Sequence, residues 1–75
     1  MSKVDEMFYK KTFEKIERYK ENELIEARFE THFLYKENTK IVFDNGSKNI
    51  EMLGTIDLET LQAINEKVKE LGWNE

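Results

Sequence analysis

An alternating stretch decides the fold of this chain: residues 25–36, with the sequence Ile-Glu-Ala-Arg-Phe-Glu-Thr-His-Phe-Leu-Tyr-Lys. Apolar or aromatic side chains occupy most of its odd positions, and charged side chains occupy most of its even positions. Successive side chains of a β-strand point to opposite faces of a sheet, so this pattern predicts a long strand with one buried face. The chain is therefore expected to form a sheet that is covered on one side only.

Two shorter strands and a turn follow this stretch. Residues 41–43 (Ile-Val-Phe) predict the second strand, and residues 49–53 (Asn-Ile-Glu-Met-Leu) predict the third. The segment between them, residues 44–47, has the sequence Asp-Asn-Gly-Ser. Asn and Gly tolerate the positive φ that both central residues of a type I′ turn require, so this segment predicts a tight hairpin.

The apolar pattern also predicts how the strands are paired. A three-residue loop at residues 37–39 sets Phe33 opposite Phe43 and keeps the apolar residues on one face, whereas a two-residue loop would divide them between the faces. The two-residue Asn-Gly turn sets Ile41 opposite Ile50 on that same face. The sequence therefore predicts a three-stranded antiparallel meander with one apolar face.

A helix is predicted before the sheet. Apolar side chains recur there at three- and four-residue steps: Val4, Phe8, Tyr9, Phe13, Ile16 and Tyr19. Ser2 is the predicted N-cap, and Asp5 and Glu6 complement the helix dipole in the first turn. No strong stop signal follows, and the helix is predicted to end near residues 20–22.

The last segment predicts a second helix with clear ends. Asp57 is the predicted N-cap, and Ile56 and Leu61 have the spacing of a hydrophobic staple. Gly72 lies where a left-handed residue closes a helix, and Trp73 follows at the position that packs back on the last turn. This helix is therefore expected to span most of residues 58–71.

These elements predict an α+β fold: helix, three-stranded antiparallel meander, helix (α-β-β-β-α), with both helices on one face of the sheet. A chain of 75 residues and 9.0 kDa is expected to form a single small domain, residues 1–75. The predicted core joins the apolar faces of the sheet and of the helices: Phe13, Phe29, Phe43, Ile50, Leu61, Ile64 and Val68.

Composition excludes several classes of site. The chain contains no Cys and a single His, which excludes disulfides and thiolate zinc sites, and no metal or other cofactor is predicted. No apolar run approaches the roughly 18 residues of a membrane-spanning helix, which predicts a cytoplasmic protein without a membrane partner. Ten Lys against two Arg, six Asn and no Pro indicate an AT-rich gene, typical of a low-GC bacterium or one of its phages.

Catalytic chemistry has little support in this sequence. His32 is the one imidazole, and its even position places it on the open face of the sheet, without the pocket that a general base needs. Carboxylate pairs such as Glu66 and Glu70 alternate with Lys67 and Lys69, and they fit a solvated helix face better than the cleft of a glycosidase. The prediction is a protein that is not an enzyme.

The open face of the sheet is the predicted binding surface. Leu34 and Val42 lie opposite each other on this face in the predicted register, and Leu53 lies on the same side. Arg28 and His32 border these apolar residues. An apolar centre within a polar border is the composition of a protein–protein interface. These five residues are the predicted contact site for a protein partner of unknown identity.

The predicted function is that of a small module that acts stoichiometrically on a protein partner, as an inhibitor or adaptor. The meander with its Asn45-Gly46 turn and the acidic last helix resemble the small phage-borne anti-CRISPR inhibitors, and this resemblance implies an inhibitor.

Two alternatives belong to other classes. One is a homodimeric structural or accessory protein, joined through the open sheet face or the edge of the third strand. The other is a nucleic-acid-binding domain, because the predicted order of elements is also that of double-stranded-RNA-binding domains. Those domains carry a basic cluster at the start of the last helix, where this chain has Asp57 and Glu59 and a net charge of -4, so no nucleic-acid partner is predicted.

Overall fold

Two helices and a four-stranded antiparallel sheet make up the part of the chain that the computed structural model describes, residues 2–31 and 39–73. The elements are α1 (Lys3–Lys10), β1 (Glu14–Lys20), β2 (Glu23–Thr31), β3 (Thr39–Asp44), β4 (Asn49–Leu53) and α2 (Leu58–Glu70). The strands follow the order β1-β2-β3-β4 in the sheet. The α+β class is confirmed, but the prediction of three strands is wrong. The predicted end of the first strand and most of its hairpin loop, residues 32–38, lie outside the described residues.

The fourth strand exists because α1 ends at residue 10, half-way along the predicted helix. Thr12 adopts a φ of 68°, the left-handed conformation that closes many helices. Its N–H donates to the Tyr9 carbonyl at 3.0 Å, and the N–H of Phe13 donates to the Phe8 carbonyl at 3.2 Å. The Phe13 ring then packs edge-on against the Phe8 ring, with centroids 5.6 Å apart. Because β-branched residues rarely adopt positive φ, the sequence pattern did not mark this closure.

A two-residue turn joins β1 to β2. Lys20 pairs with Glu23, and the two residues between them, Glu21 and Asn22, have φ values of 51° and 69°. Two consecutive positive φ values are typical of a type I′ turn, which Asn-Gly and Asp-Gly pairs usually form. The apolar stripe of the predicted helix is thereby divided, and Ile16 lies on the open face of the sheet, 43% exposed.

The strands keep their predicted faces but not their predicted registers. Phe43 pairs with Ala27 on β2 rather than with Phe33, and Ile50 on β4 pairs with Phe43 rather than with Ile41. Each observed partner differs from the predicted partner by an even number of residues along its strand. Because side chains alternate between faces with a period of two, even shifts leave every side chain on its predicted face.

The turn between β3 and β4 has four residues, 45–48, rather than the two of the predicted type I′ turn. The Asp44 carboxylate accepts hydrogen bonds from the N–H groups of Gly46 at 3.0 Å and Ser47 at 3.2 Å. The positive φ, 58°, falls on Lys48. The predicted Asn-Gly turn is therefore wrong in type and length, since the Asp44 side chain organises the turn instead.

Asn45 has a different role from the predicted one, because it joins distant parts of the chain. Its backbone N–H donates to the Ile25 carbonyl and its side-chain amide donates to the Leu24 carbonyl, both at 2.9 Å. Its side-chain oxygen accepts from Nε1 of Trp73 at 2.7 Å. One side chain thus ties the β3–β4 turn to β2 and to the end of α2.

The helix α2 has the predicted ends. Asp57 caps it, since its carboxylate accepts from the N–H of Thr60 at 2.8 Å. Gly72 has a φ of 76°, and Gly72 and Trp73 donate their N–H groups to carbonyls of the last turn at 3.0 and 3.2 Å. This is the predicted Schellman closure. The helix faces the core through a neighbouring stripe, however, which leaves Leu61 43% exposed.

Aromatic rings form the centre of the core. Phe8 of α1 stacks on Phe29 of β2, with centroids 3.9 Å apart. Phe43 meets both rings edge-on at 6.2 and 6.0 Å, and Trp73 packs on Phe43 at 6.1 Å. The buried residues that form the cluster come from the sheet and from both helices: Phe8, Phe13, Ala27, Phe29, Ile41, Phe43, Ala63 and Ile64. The predicted core residues Ile50 and Leu61 do not belong to it, because both are exposed.

Two charged side chains, Asp5 and Lys67, are buried beside this core, and a third, Lys15, is half-buried. Asp5 of α1 is 6% exposed, and its carboxylate accepts from Nζ of Lys15 at 2.5 Å and from Nζ of Lys67 at 3.0 Å. Lys67, on α2, is 2% exposed. Both ammonium groups also lie over the ring of Phe29, 5.8 and 5.6 Å from its centroid. The Asp5 network, defined by Asp5, Lys15 and Lys67, therefore joins α1, β1 and α2 above β2.

Strain at Thr12 generates the first prediction. A side chain with a Cβ costs about 1 kcal/mol or more in the left-handed region, and glycine avoids this cost. We expect Thr12→Gly to raise the free energy of unfolding by about 1 kcal/mol in urea titration, whereas Thr12→Ala, which keeps a Cβ, should change it by less than about 0.5 kcal/mol. Destabilisation by the glycine would contradict the left-handed closure of α1.

The Asp5 network generates a pH-dependent prediction. Burial raises the pKa of Asp5, but the hydrogen bonds and the positive charges of Lys15 and Lys67 together lower it by more, so the net pKa lies below the ordinary 3.8. A carboxyl group whose pKa is lowered by folding stabilises the fold above its unfolded pKa, and this contribution disappears as the pH falls through the folded pKa. Stability should therefore decline below pH 3.8.

Asp5→Asn tests this assignment. The variant removes the carboxylate that the two ammonium groups share and leaves Lys15 beside Glu17 and Lys67 beside Glu70. We expect it to lose about 3 kcal/mol of unfolding free energy at neutral pH. Urea titrations should show that this difference begins to narrow below pH 3.8, where the carboxyl of the unfolded chain becomes protonated, and disappears as the pH falls through the lower pKa of the folded protein. Lys67→Met is the milder companion, since it keeps the Lys15–Asp5 pair. A pH-independent difference would show that the Asp5 charge is not responsible.

Candidate functional site

The outer strand β4 is not covered by the helices. Phe8 of α1 stacks on Phe29 of β2, and Lys67 of α2 lies over the same ring, so the helix pair is centred on β2. Ile50 and Met52 point to the same side of the sheet as this core, but they remain 36% and 54% exposed. The helix pair therefore leaves β4, at the edge of the sheet opposite to β1, without cover.

The exposed residues of β4 form an apolar strip on an edge of the sheet with which no further strand of the described residues pairs. Leu53, on the open face, is 64% exposed. Glu51 is the one charged residue among the five residues of β4. We call Ile50, Glu51, Met52 and Leu53 the β4 strip. An edge strand presents backbone N–H and C=O groups without partners, so the strip combines exposed apolar surface with free hydrogen-bonding groups.

The other edge of the sheet is chemically different. Five of the seven residues of β1 are charged: Glu14, Lys15, Glu17, Arg18 and Lys20. Its pairing with β2 is also irregular between Arg18 and Tyr19. Charged side chains and irregular pairing are the features by which proteins keep edge strands from pairing with other chains. β1 is therefore a protected edge, and β4 is not.

A shallow depression of about 370 Å³ lies beside the strip. The described residues that line it are Lys40, Val42, Glu51, Met52 and Leu53. Because Met52 lies on the face opposite to the other four, the depression continues around the edge of β4. Its floor is aliphatic and its borders carry one ammonium and one carboxylate group, so it suits a side chain with an apolar stem and a polar end.

Three of the five residues of the predicted open-face site belong to the described part of the chain: Arg28, Val42 and Leu53. His32 and Leu34 lie outside the described residues. Leu53 is exposed and belongs to the β4 strip, whereas Val42 is 5% exposed and offers little surface to a partner. Arg28 lies on the predicted face in the row that also contains Ile16 and Val42.

Ionic contacts hold Arg28 in place. Its guanidinium lies 2.6 Å from the Glu26 carboxylate and 3.6 Å from the Glu30 carboxylate. Arg18 lies 3.5 Å from the other oxygen of Glu26. Nε of Arg28 is buried and makes no hydrogen bond with the described residues. The central open face is therefore a ladder of paired charges, with exposed apolar side chains on either side of it: Ile16 on β1 and Leu53 on β4.

The start of α2 is also occupied by paired charges. Lys11 lies 2.6 Å from Asp57 and 3.7 Å from Glu59. The hydrogen bonds from Lys11 and from the N–H of Thr60 hold the pKa of Asp57 well below its usual range. The N–H groups at this helix end thus already have an anionic partner, which disfavours the binding of a phosphate group there.

Sequence reasoning missed most of the strip for one reason. Ile50 was assigned to the core because its parity matches that of Phe43, and that parity is correct. What the pattern does not contain is the position of the helices across the sheet. A signal was nevertheless present, since the last strand of a meander is an edge and this one carries a single charge.

Within the described ranges, no three His, Asp or Glu side chains come close enough together to hold a metal ion. Nor does any helix in that part of the chain have the length and apolar character needed to cross a membrane.

The contrast between Val42 and Leu53 gives a direct test of burial at two positions of the open face. Val42→Lys places an ammonium group at a buried position and should cost about 2 kcal/mol or more of unfolding free energy. Leu53→Lys introduces the same group at an exposed position and should cost less than about 0.5 kcal/mol. Urea titrations of both variants measure the difference. Equal costs would contradict the described burial of Val42.

Comparisons with known proteins return no match to this chain. No protein-family model matches it, and neither a curated protein nor a solved structure does so. What the protein does is therefore inferred from the chemistry of the β4 strip and its surroundings.

Proposed function

We propose that the chain is a small, non-enzymatic protein-binding module that acts stoichiometrically on a protein partner, as an inhibitor or adaptor. The β4 strip is the proposed contact site. The observation that carries this proposal is the exposure of Ile50, Met52 and Leu53, at 36%, 54% and 64%, on the unprotected edge of the sheet. This site replaces the centre of the open face as the first choice of surface.

The composition of the strip supports a protein partner. Removing apolar surface from water contributes about 25 cal/mol for each Å² that a partner covers. Lys40 and Glu51 border the apolar side chains, and an apolar centre with a polar border is the usual anatomy of a protein–protein interface. The free backbone groups of β4 would add directional hydrogen bonds to this contact.

Charge favours a protein over a nucleic acid. Phosphate recognition depends on clustered Lys and Arg side chains, whereas this chain has a net charge of -4. At the start of α2, Lys11 is paired with Asp57 and Glu59. The four-stranded sheet also departs from the three strands expected for double-stranded-RNA-binding topology. We therefore propose no nucleic-acid partner.

The sharpest form of the proposal is an inhibitor that resembles the small phage-borne anti-CRISPR proteins and works in the bacterial cytoplasm. The support for this form comes from composition: the acidic last helix and the Lys- and Asn-rich, Pro-free sequence. A homodimer through β4 is the alternative, because the same exposed strip could bury itself against a second copy.

A matched pair of double variants tests the proposal. Met52→Lys with Leu53→Lys changes the β4 strip, and Tyr19→Lys with Leu58→Lys makes the same chemical change at positions that are 58% and 69% exposed elsewhere. Tagged wild-type and variant proteins would be used to capture partners from a low-GC bacterial lysate. We expect a protein that the wild type and the control retain, and that the β4 variant retains at least about tenfold less, equivalent to about 1.4 kcal/mol.

Two readings would count against this function. If both double variants lose the captured protein equally, or if both retain it, then the β4 strip is not the contact site. Sedimentation of the free protein gives the second result: a wild-type dimer that the β4 variant abolishes would favour the homodimer.

A further inference from the structure

We propose that the β4 strip binds its partner by strand addition, and that the partner supplies an extended segment with a basic residue opposite Glu51 and apolar residues on either side. This inference rests on the proposed function and deepens it by naming the chemistry of the partner. Three features of the described residues carry it: the free edge, the charge of Glu51 and the shape of the depression beside it.

The first feature is the difference between the two edges of the sheet. Alternate residues of an edge strand turn their N–H and C=O groups away from the sheet, where an extended segment can bond to them. β1 carries five charged residues and an irregular pairing, but β4 pairs regularly with β3 along its whole length. A regular, weakly charged edge is the one that accepts another strand.

The second feature is the charge at the centre of β4. Glu51 is the third of its five residues, and it forms no ion pair with any residue in the described ranges. Its neighbour across the sheet, Val42, is apolar. Opposite charges stabilise a directly facing cross-strand pair, and like charges destabilise it. A strand added to β4 is therefore selected for Lys or Arg at the position facing Glu51.

The third feature is the depression of about 370 Å³ on the same side of the sheet. A residue that faces Glu51 lies on the open face beside Leu53, which is 64% exposed and lines the depression. Lys and Arg side chains lay their methylene groups along apolar surface while their charged ends remain near an opposite charge or water. The shape and the charge thus select the same residue types. On the other side of the strand, Ile50 and Met52 would face apolar residues of the added segment.

A second copy of this chain is a poorer occupant. Two β4 strands paired antiparallel about their central residues place Glu51 directly opposite the Glu51 of the other copy. That arrangement brings two carboxylates together on the same face, which opposes association. The charge of the strip therefore favours a partner segment of a different sequence.

Short synthetic peptides test the inference. The probe is the acetylated and amidated peptide Thr-Val-Lys-Val-Thr, whose symmetry allows it to add in either direction with Lys opposite Glu51. The control peptide, Thr-Val-Glu-Val-Thr, differs in the central residue alone. Both are titrated into ¹⁵N-labelled protein while the backbone amide signals are followed, and a Kd on the order of 1 mM is expected for so short a segment.

We expect the amide signals of residues 49–53 to shift, with those of β1 unchanged. The Lys peptide should bind about fivefold more tightly than the Glu peptide, because an attractive cross-strand pair is exchanged for a repulsive one. In Glu51→Lys the preference should reverse. Leu58→Lys introduces an ammonium group at a position that is 69% exposed and outside the β4 strip; it should keep the original preference, which makes it the control variant.

Several results would overturn strand addition: equal affinity for the two peptides, a preference that Glu51→Lys leaves unchanged, shifts at β1 instead of β4, or no shift at several times the expected Kd. A wild-type dimer joined through β4 would do the same. If the peptides fail while the β4 double variant still loses its captured protein, the strip binds a folded surface, and the proposed function survives without this inference. If the peptide titration and the capture experiment both fail, the proposed function is wrong as well.

Discussion

The contact on which the rest of the structure depends is the pair of salt bridges from Lys15 and Lys67 to the buried carboxylate of Asp5. Burial of a charge is costly unless it has a partner, and here the Asp5 carboxylate accepts from the buried Lys67 and from the half-buried Lys15, while the Phe29 ring lies beneath both ammonium groups. Lys67 is nearly inaccessible to water, so α2 has few alternative positions. The network fixes the helix pair above β2.

The position of the helices determines which surface remains for binding. Two helices centred on the second of four strands cover one side of the sheet as far as β3, where Ile41 and Phe43 are fully buried. The apolar side chains of β4 continue the same face but remain exposed. The proposed site is therefore a consequence of packing: the same interactions that build the core leave an apolar edge without cover.

The sequence correctly predicted the ends of α2, which depend on local chemistry, and the faces of the strands, which depend on the odd or even position of each residue. Asp57, Gly72 and Trp73 have side-chain or backbone roles that their neighbours alone specify, and all three were located correctly. The faces of the strands also survived errors of register. The first helix was extended too far because its closing residue, Thr12, is of a type that seldom adopts positive φ. The β4 strip was missed because exposure depends on how elements pack together, which periodicity does not record.

The most direct test of the account is backbone hydrogen exchange of the protein alone and in complex with a captured partner. Strand addition gives hydrogen-bond partners to amides that point away from the sheet. The account predicts slower exchange in residues 49–53 on binding, with residues 14–20 of β1 unaffected. Slower exchange confined to β1 or to the exposed face of α2, with β4 unchanged, would contradict it.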